Sequence, residues 1–196
     1  MVAIDTGTKE LLADLSDRVL TLTLNRPEAR NALSPEMMFA LRRLISEFGD
    51  HADVGALLLT GAGGAFSSGG DVKRMAVRKD GEQTAEAKFQ EMLARHSESA
   101  GAIRKLRIPT IAAIPGPAAG AGMALALSCD LRVMAEEAFF TTGYARVGLP
   151  GDYGASWLLT RIVGPGKARE LMLLCPRTTA VEALSCLLYT SDAADE

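Results

Sequence analysis

The 196-residue sequence predicts an α/β domain. Strand-length apolar runs alternate with stretches of helical period, and twice such a run breaks at glycines and turns helical. The first of these corners lies in residues 111–130, IAAIPGPAAGAGMALALSCD. An apolar run breaks at Pro115-Gly116-Pro117, passes through Gly120-Ala121-Gly122 and becomes helical at residues 123–127. Small residues at 118–122 clear side chains from a place the backbone must approach, and the first free N–H groups of the helix point outward there. The second corner has the same form: a strand at 56–60, a turn at 61–64, then FSSGGDVK at 66–73. Both corners offer backbone donors to negative charge. Small residues alone would also serve close helix–sheet packing.

The other elements follow in chain order. Residues 18–24 alternate Leu20, Leu22 and Leu24 with Thr21 and Thr23, the pattern of a strand with one buried face. Ser34 is a good N-cap with Pro35 at N1, and Met37, Leu41, Leu44, Ile45 and Phe48 mark one face of a helix ending at Gly49. Residues 55–60 return as strand. Residues 75–106 are mostly polar and helix-prone, with Phe89, Met92 and Leu93 as apolar contacts, and 131–134 form one more strand. Phe66 and Trp157 are expected in the core.

Composition fits one domain with a sizeable core. A net charge of −3 argues against a nucleic-acid surface. The apolar run 111–127 is short for a membrane span and is broken by two prolines. Cys129, Cys175 and Cys186 share no metal-ligand spacing, and the N-terminus has no basic-then-apolar signal, so no metal and a cytoplasmic location are expected. Neither Gly61-x-Gly63-x-x-Phe66 nor Gly164-x-Gly166-Lys167 completes a nucleotide-binding motif. His51 and His96 stand apart from any motif, and Ser67, Ser68 and Ser156 have no histidine partner in a recognisable position, which disfavours a Ser-His-Asp hydrolase.

Four blocks together resemble the enoyl-CoA hydratase/isomerase, or crotonase, superfamily: NRPEARNAL at 25–33, AFSSGGDVKRM at 65–75, IPGPAAGAGMALALSCD at 114–130, and VGLP at 147–150 followed by LTRIVG at 159–164. The resemblance covers about residues 17–184. It implies a spiral of ββα turns, an acyl-CoA thioester as substrate with coenzyme A as part of it rather than a permanent cofactor, and a homotrimer or hexamer. Residues 186–196, CLLYTSDAADE, resemble one reading frame of a sequencing-library adapter. The expected division is therefore a crotonase-like core at 1–185 and a non-native tail at 186–196. The natural chain is then expected to continue past Ser185 into helices that cover the acyl pocket, and exposed apolar residues on the helix at 166–174 would mark their absence.

Resemblance also assigns roles. A thioester whose α-carbon gains or loses a proton develops charge on its carbonyl oxygen, and two preorganised N–H groups stabilise that charge. These fall on Gly70 and Ala121, one from each corner. Coenzyme A contacts fall on Arg26 and Ala29 in the first block and on Ser68, Val72 and Lys73 in the second; Arg26 and Lys73 could equally be ordinary solvated charges. Met75, Met123 and Leu149 are candidates to line the acyl pocket. Asp71 reads as a helix N-cap and Asp130 as a structural hydrogen-bonding group.

The family's hydratases use two glutamates, and their positions here hold Ala124 and Tyr144. Asp152 remains as the acid/base, since isomerases of the superfamily place an aspartate at or near this point. It could equally cap the helix that follows. Tyr144 could donate a hydrogen bond or merely pack. The preferred expectation is enoyl-CoA isomerisation through Asp152; hydration, acyl-CoA hydrolysis and a non-catalytic acyl-CoA-binding subunit are the alternatives.

Overall fold

The chain opens with three strands, β1 (Val2–Ile4), β2 (Leu11–Ser16) and β3 (Val19–Leu24), paired antiparallel in sequence order. The computed structural model describes residues 1–71 and 84–189, so Val72, Lys73 and Met75 lie outside the described residues, as do residues 190–196. After β3 the pairing turns parallel: β4 (Ala56–Gly61), β5 (Thr110–Ile114) and β7 (Leu131–Met134) extend one sheet in the order β1-β2-β3-β4-β5-β7. Parallel neighbours need crossovers, and helices supply them. The crossovers are α1 (Pro35–Phe48) between β3 and β4, α2 (Ala85–Ser97) and α3 (Ala100–Ile103) between β4 and β5, and α4 (Ala121–Ser128) between β5 and β7. A second small sheet, β6-β8-β9, joins Ala118–Ala119, Phe139–Thr141 and Thr178–Thr179. Helices α5 (Ala155–Leu174), interrupted at non-helical Gly164, and α6 (Ala180–Ser185) complete the described fold.

Sequence and structure agree where one face is buried. Leu20, Leu22 and Leu24 are fully buried while Thr21 and Thr23 are half-buried. Ser34 Oγ accepts from Met37 N at 3.0 Å, and α1 turns Met37, Leu41, Leu44 and Ile45 inward before Gly49 caps it. Asp130 Oδ2 accepts from Thr110 N (2.9 Å) and Oγ1 (2.8 Å), tying the start of β7 to β5.

Two expectations need correction. Trp157 is 53 % exposed, because Leu158 and Leu159 take the inward positions of α5; its ring instead lies under the Arg161 guanidinium at 4.8 Å. Phe89, Met92 and Leu93 on α2 are exposed rather than core contacts. Beyond α6, Leu188 and Tyr189 are buried, and Arg132 Nε donates to Leu188 O at 2.6 Å. Leu173 and Leu174, on the helix where exposed apolar residues were expected, are about 70 % exposed. Among the described residues no helix is long and apolar enough to cross a membrane, and no group of three or more His, Cys, Asp or Glu could hold a metal ion.

Candidate active site

The site begins at a buried asparagine. Arg30 and Asn31 are consecutive left-handed residues (φ 50° and 55°), a conformation that asparagine tolerates better than most. It turns the fully buried Asn31 side chain into three bonds: Oδ1 accepts from Arg26 N (2.8 Å), and Nδ2 donates to Ala62 O (2.9 Å) and Ala65 O (2.8 Å). The 26–33 block is thereby fixed to the turn after β4. Further bonds join it to the second corner: Ser67 Oγ donates to Asn31 O, Ser68 N to Arg30 O, Leu33 N to Gly69 O and Ser68 Oγ to Ala29 O. Asn31 stood inside a recognised motif, yet nothing in the sequence alone gave its role. Asn31→Ala leaves one buried and two part-buried partners without their bond and should cost about 2–4 kcal/mol, read as a lower denaturant midpoint at unchanged slope.

The two corners are built against each other. Phe66 N and Ser67 N both donate to Pro117 O, and Ala119 N donates to Ser67 O at 2.8 Å. Gly69 sits at φ 88°, where a Cβ would lie 2.7 Å from Ala119 O and 3.2 Å from Ala121 N. On Gly122 a Cβ would lie 2.6 Å from Ser67 Cβ. These positions admit only glycine because the backbone of one corner touches the start of α4. Ala121 is the first residue of that helix, so its N–H has no intrahelical acceptor. No acceptor among the described residues takes the N–H of Ala121 or of Gly70. Gly70 is exposed and Ala121 is buried.

The third part follows β8. Tyr144, 5 % exposed, packs with Ala124 of α4 and Ala155 of α5, with Tyr153 and Met172 against them. The two positions where the resemblance places hydratase glutamates are therefore neighbours in space, and neither carries a carboxylate. Asp152 reaches this cluster. Tyr144 Oη donates to Asp152 Oδ1 at 2.6 Å. The helix-cap reading of Asp152 gives way, since α5 is capped at Gly154 without a side-chain bond and Ala155 N donates to the Asp152 backbone carbonyl. Burial first, and then the charge of Asp152, push the Tyr144 phenol well above its ordinary value. His96, which the sequence set apart from every motif, lies with its ring centroid 4.4 Å from that of Tyr153. Only the packing of α2 reveals this contact.

The remaining expected residues are placed as follows. Arg26 is 15 % exposed in its side chain; its Nε lies 3.3 Å from Glu10 Oε1, and its Nη1 donates to Asp71 Oδ2 (3.1 Å) and Ala32 O (2.8 Å). It is neither a solvated surface charge nor an unpaired cation. Asp71 receives Arg26, and the helix it was expected to cap lies outside the described residues. Ala29 is half-buried, Ser68 exposed, Met123 buried and Leu149 partly exposed.

Chemically, N–H groups without an acceptor among the described residues, on two corners bonded to each other, can bind a ligand oxygen that gains charge, and a carboxylate held by a phenol can carry a proton. The fold that carries this arrangement is a mixed α/β one, and the comparisons name its family. The model of the enoyl-CoA hydratase/isomerase family matches residues 14–189, and the chain belongs to that family. A probable enoyl-CoA hydratase of Mycobacterium tuberculosis, EchA8, is 36 % identical over 174 residues, covering 88 % of this chain and 64 % of that protein. The solved enoyl-CoA hydratase of Polaromonas sp. JS666 superposes with TM-score 0.82 at 33 % identity, covering 94 % of this chain and 72 % of its own. DspI of Pseudomonas aeruginosa gives TM-score 0.84 at 32 % identity, covering 96 % and 75 %. The crotonase fold is thus established, and the chain spans about 64 % of the length of the first curated relatives.

Proposed function

We propose that the protein isomerises an enoyl-CoA thioester. The N–H groups of Gly70 and Ala121 hold the thioester oxygen as an enolate forms, and Asp152 takes a proton from one carbon and returns it to another. The observation behind this reading is the cluster at Ala124 and Tyr144, where neither position carries a glutamate and Asp152 is the carboxylate that arrives. A single base suits a proton shuttle, whereas addition of water needs a second group to activate it.

Coenzyme A would contact Ala29 and Ser68, and the resemblance adds Val72 and Lys73; Arg26 contributes by fixing the 26–33 block through Glu10 and Asp71. A homotrimer or hexamer, working in the cytoplasm without a resident cofactor or metal, completes the proposal. Hydration is the second reading, because the relatives are named hydratases.

The test is to incubate the purified full-length protein with 2-enoyl- and 3-enoyl-CoA thioesters in D2O and to follow double-bond position and deuterium uptake. A moved double bond supports isomerisation. A 3-hydroxyacyl product supports hydration and overturns it.

A further inference from the structure

We infer that Tyr144 is a positioning residue that tethers Asp152 by one oxygen, so that the same carboxylate oxygen takes the proton and gives it back. The inference rests on the reading of Asp152 as the proton carrier. Tyr144 Oη donates to Asp152 Oδ1 at 2.6 Å, a short, charge-assisted bond, while Oδ2 has no partner among the described residues. The phenol is itself fixed: its ring lies beside Ala124 and Ala155, and it comes within 3.9 Å of where a Cβ on Gly120 would stand. Gly120 directly precedes the Ala121 N–H.

Tyr144 cannot be the base. Burial and the neighbouring carboxylate both favour its neutral form, so it remains a donor throughout the cycle. In the forward step Oδ2 accepts the substrate proton and the electron pair moves to the thioester oxygen. In the return step the O–H bond at Oδ2 breaks toward the second carbon, the enolate collapses and the carboxylate is restored. Tyr144 keeps its own proton in both, because Oδ1 accepts whether or not Oδ2 is protonated. Without the tether the carboxyl can rotate and carry its proton away from the second carbon, and exchange with solvent then competes with the return step.

The experiment compares wild type, Tyr144→Phe and Asp152→Asn in D2O, measuring kcat, KM and deuterium incorporated per turnover. Tyr144→Phe preserves the ring and removes only the tether. Its kcat should fall about 10- to 100-fold, the scale of a small misplacement of a reacting group, with KM within about twofold. Deuterium per turnover should rise. That ratio is set by the molecules that turn over, so partial misfolding would not move it. Unchanged turnover in Tyr144→Phe, or slower turnover with unchanged deuterium per turnover, overturns the positioning role. Full isomerisation by Asp152→Asn overturns instead the reading on which it rests.

Discussion

Asp152→Asn should abolish isomerisation almost completely, with a fall of about 10²–10⁴-fold in kcat, the range that a positioned acid/base supplies. Asparagine is nearly isosteric with aspartate. Its amide oxygen can still accept from Tyr144 Oη, now 2.6 Å from Asp152 Oδ1, so the packing of Tyr144 against Ala124 and Ala155 should persist. What disappears is the lone pair basic enough to take a carbon-bound proton. Thermal midpoint and KM should therefore change little while kcat collapses, a pattern expected of a group used only in the transition state. The decisive assay follows double-bond position over many enzyme turnovers. More than a tenth of wild-type kcat in the variant would remove Asp152 from the mechanism.

Gly69→Ala should rank next, lowering kcat/KM by about 10²–10³-fold, as when one oxyanion donor is lost. The cause is geometric rather than chemical. At φ 88° an L-residue is strained, and the new Cβ would meet Ala119 O at 2.7 Å and Ala121 N at 3.2 Å, so one corner must withdraw from the other. Both atoms belong to backbone, which cannot swing aside as a long side chain can. Leu33 N, bonded to Gly69 O, would carry part of that shift into the 26–33 block. Loss of activity should come with a lower denaturant midpoint, in contrast to Asp152→Asn. A Gly69→Ala protein of wild-type activity would show that the corners need not touch for the site to work.

The sequence announces elements whose chemistry is local. Ser34-Pro35 marks the start of α1 because capping and a preset φ act within one turn, and alternation finds β3 because its period is its burial. The two glycine corners are legible for the same reason, although α4 begins at Ala121, two residues ahead of its apolar run. Elements too short to show a period are silent: β6, β8 and β9 have two or three residues each. Trp157 misleads because residue type predicts burial only on average, and here α5 turns the indole outward. Contacts made by returning loops are also invisible. Tyr144 meets Asp152 because the chain between them bends at Gly148 (φ 71°) and Gly151 (φ 103°), and His96 meets Tyr153 from a distant helix.

All eight residues of α4 are buried. Such a helix has no outward side, so a substitution anywhere on it must be matched by whatever packs against it. A carboxylate installed at Ala124 alone would be pressed against the Tyr144 ring in a place without solvent, and the folded state would resist its ionisation. A tyrosine shortened alone would leave a hole beside Ala124. The two positions are therefore coupled: a change of bulk or charge at Ala124 is felt at Tyr144, and the reverse.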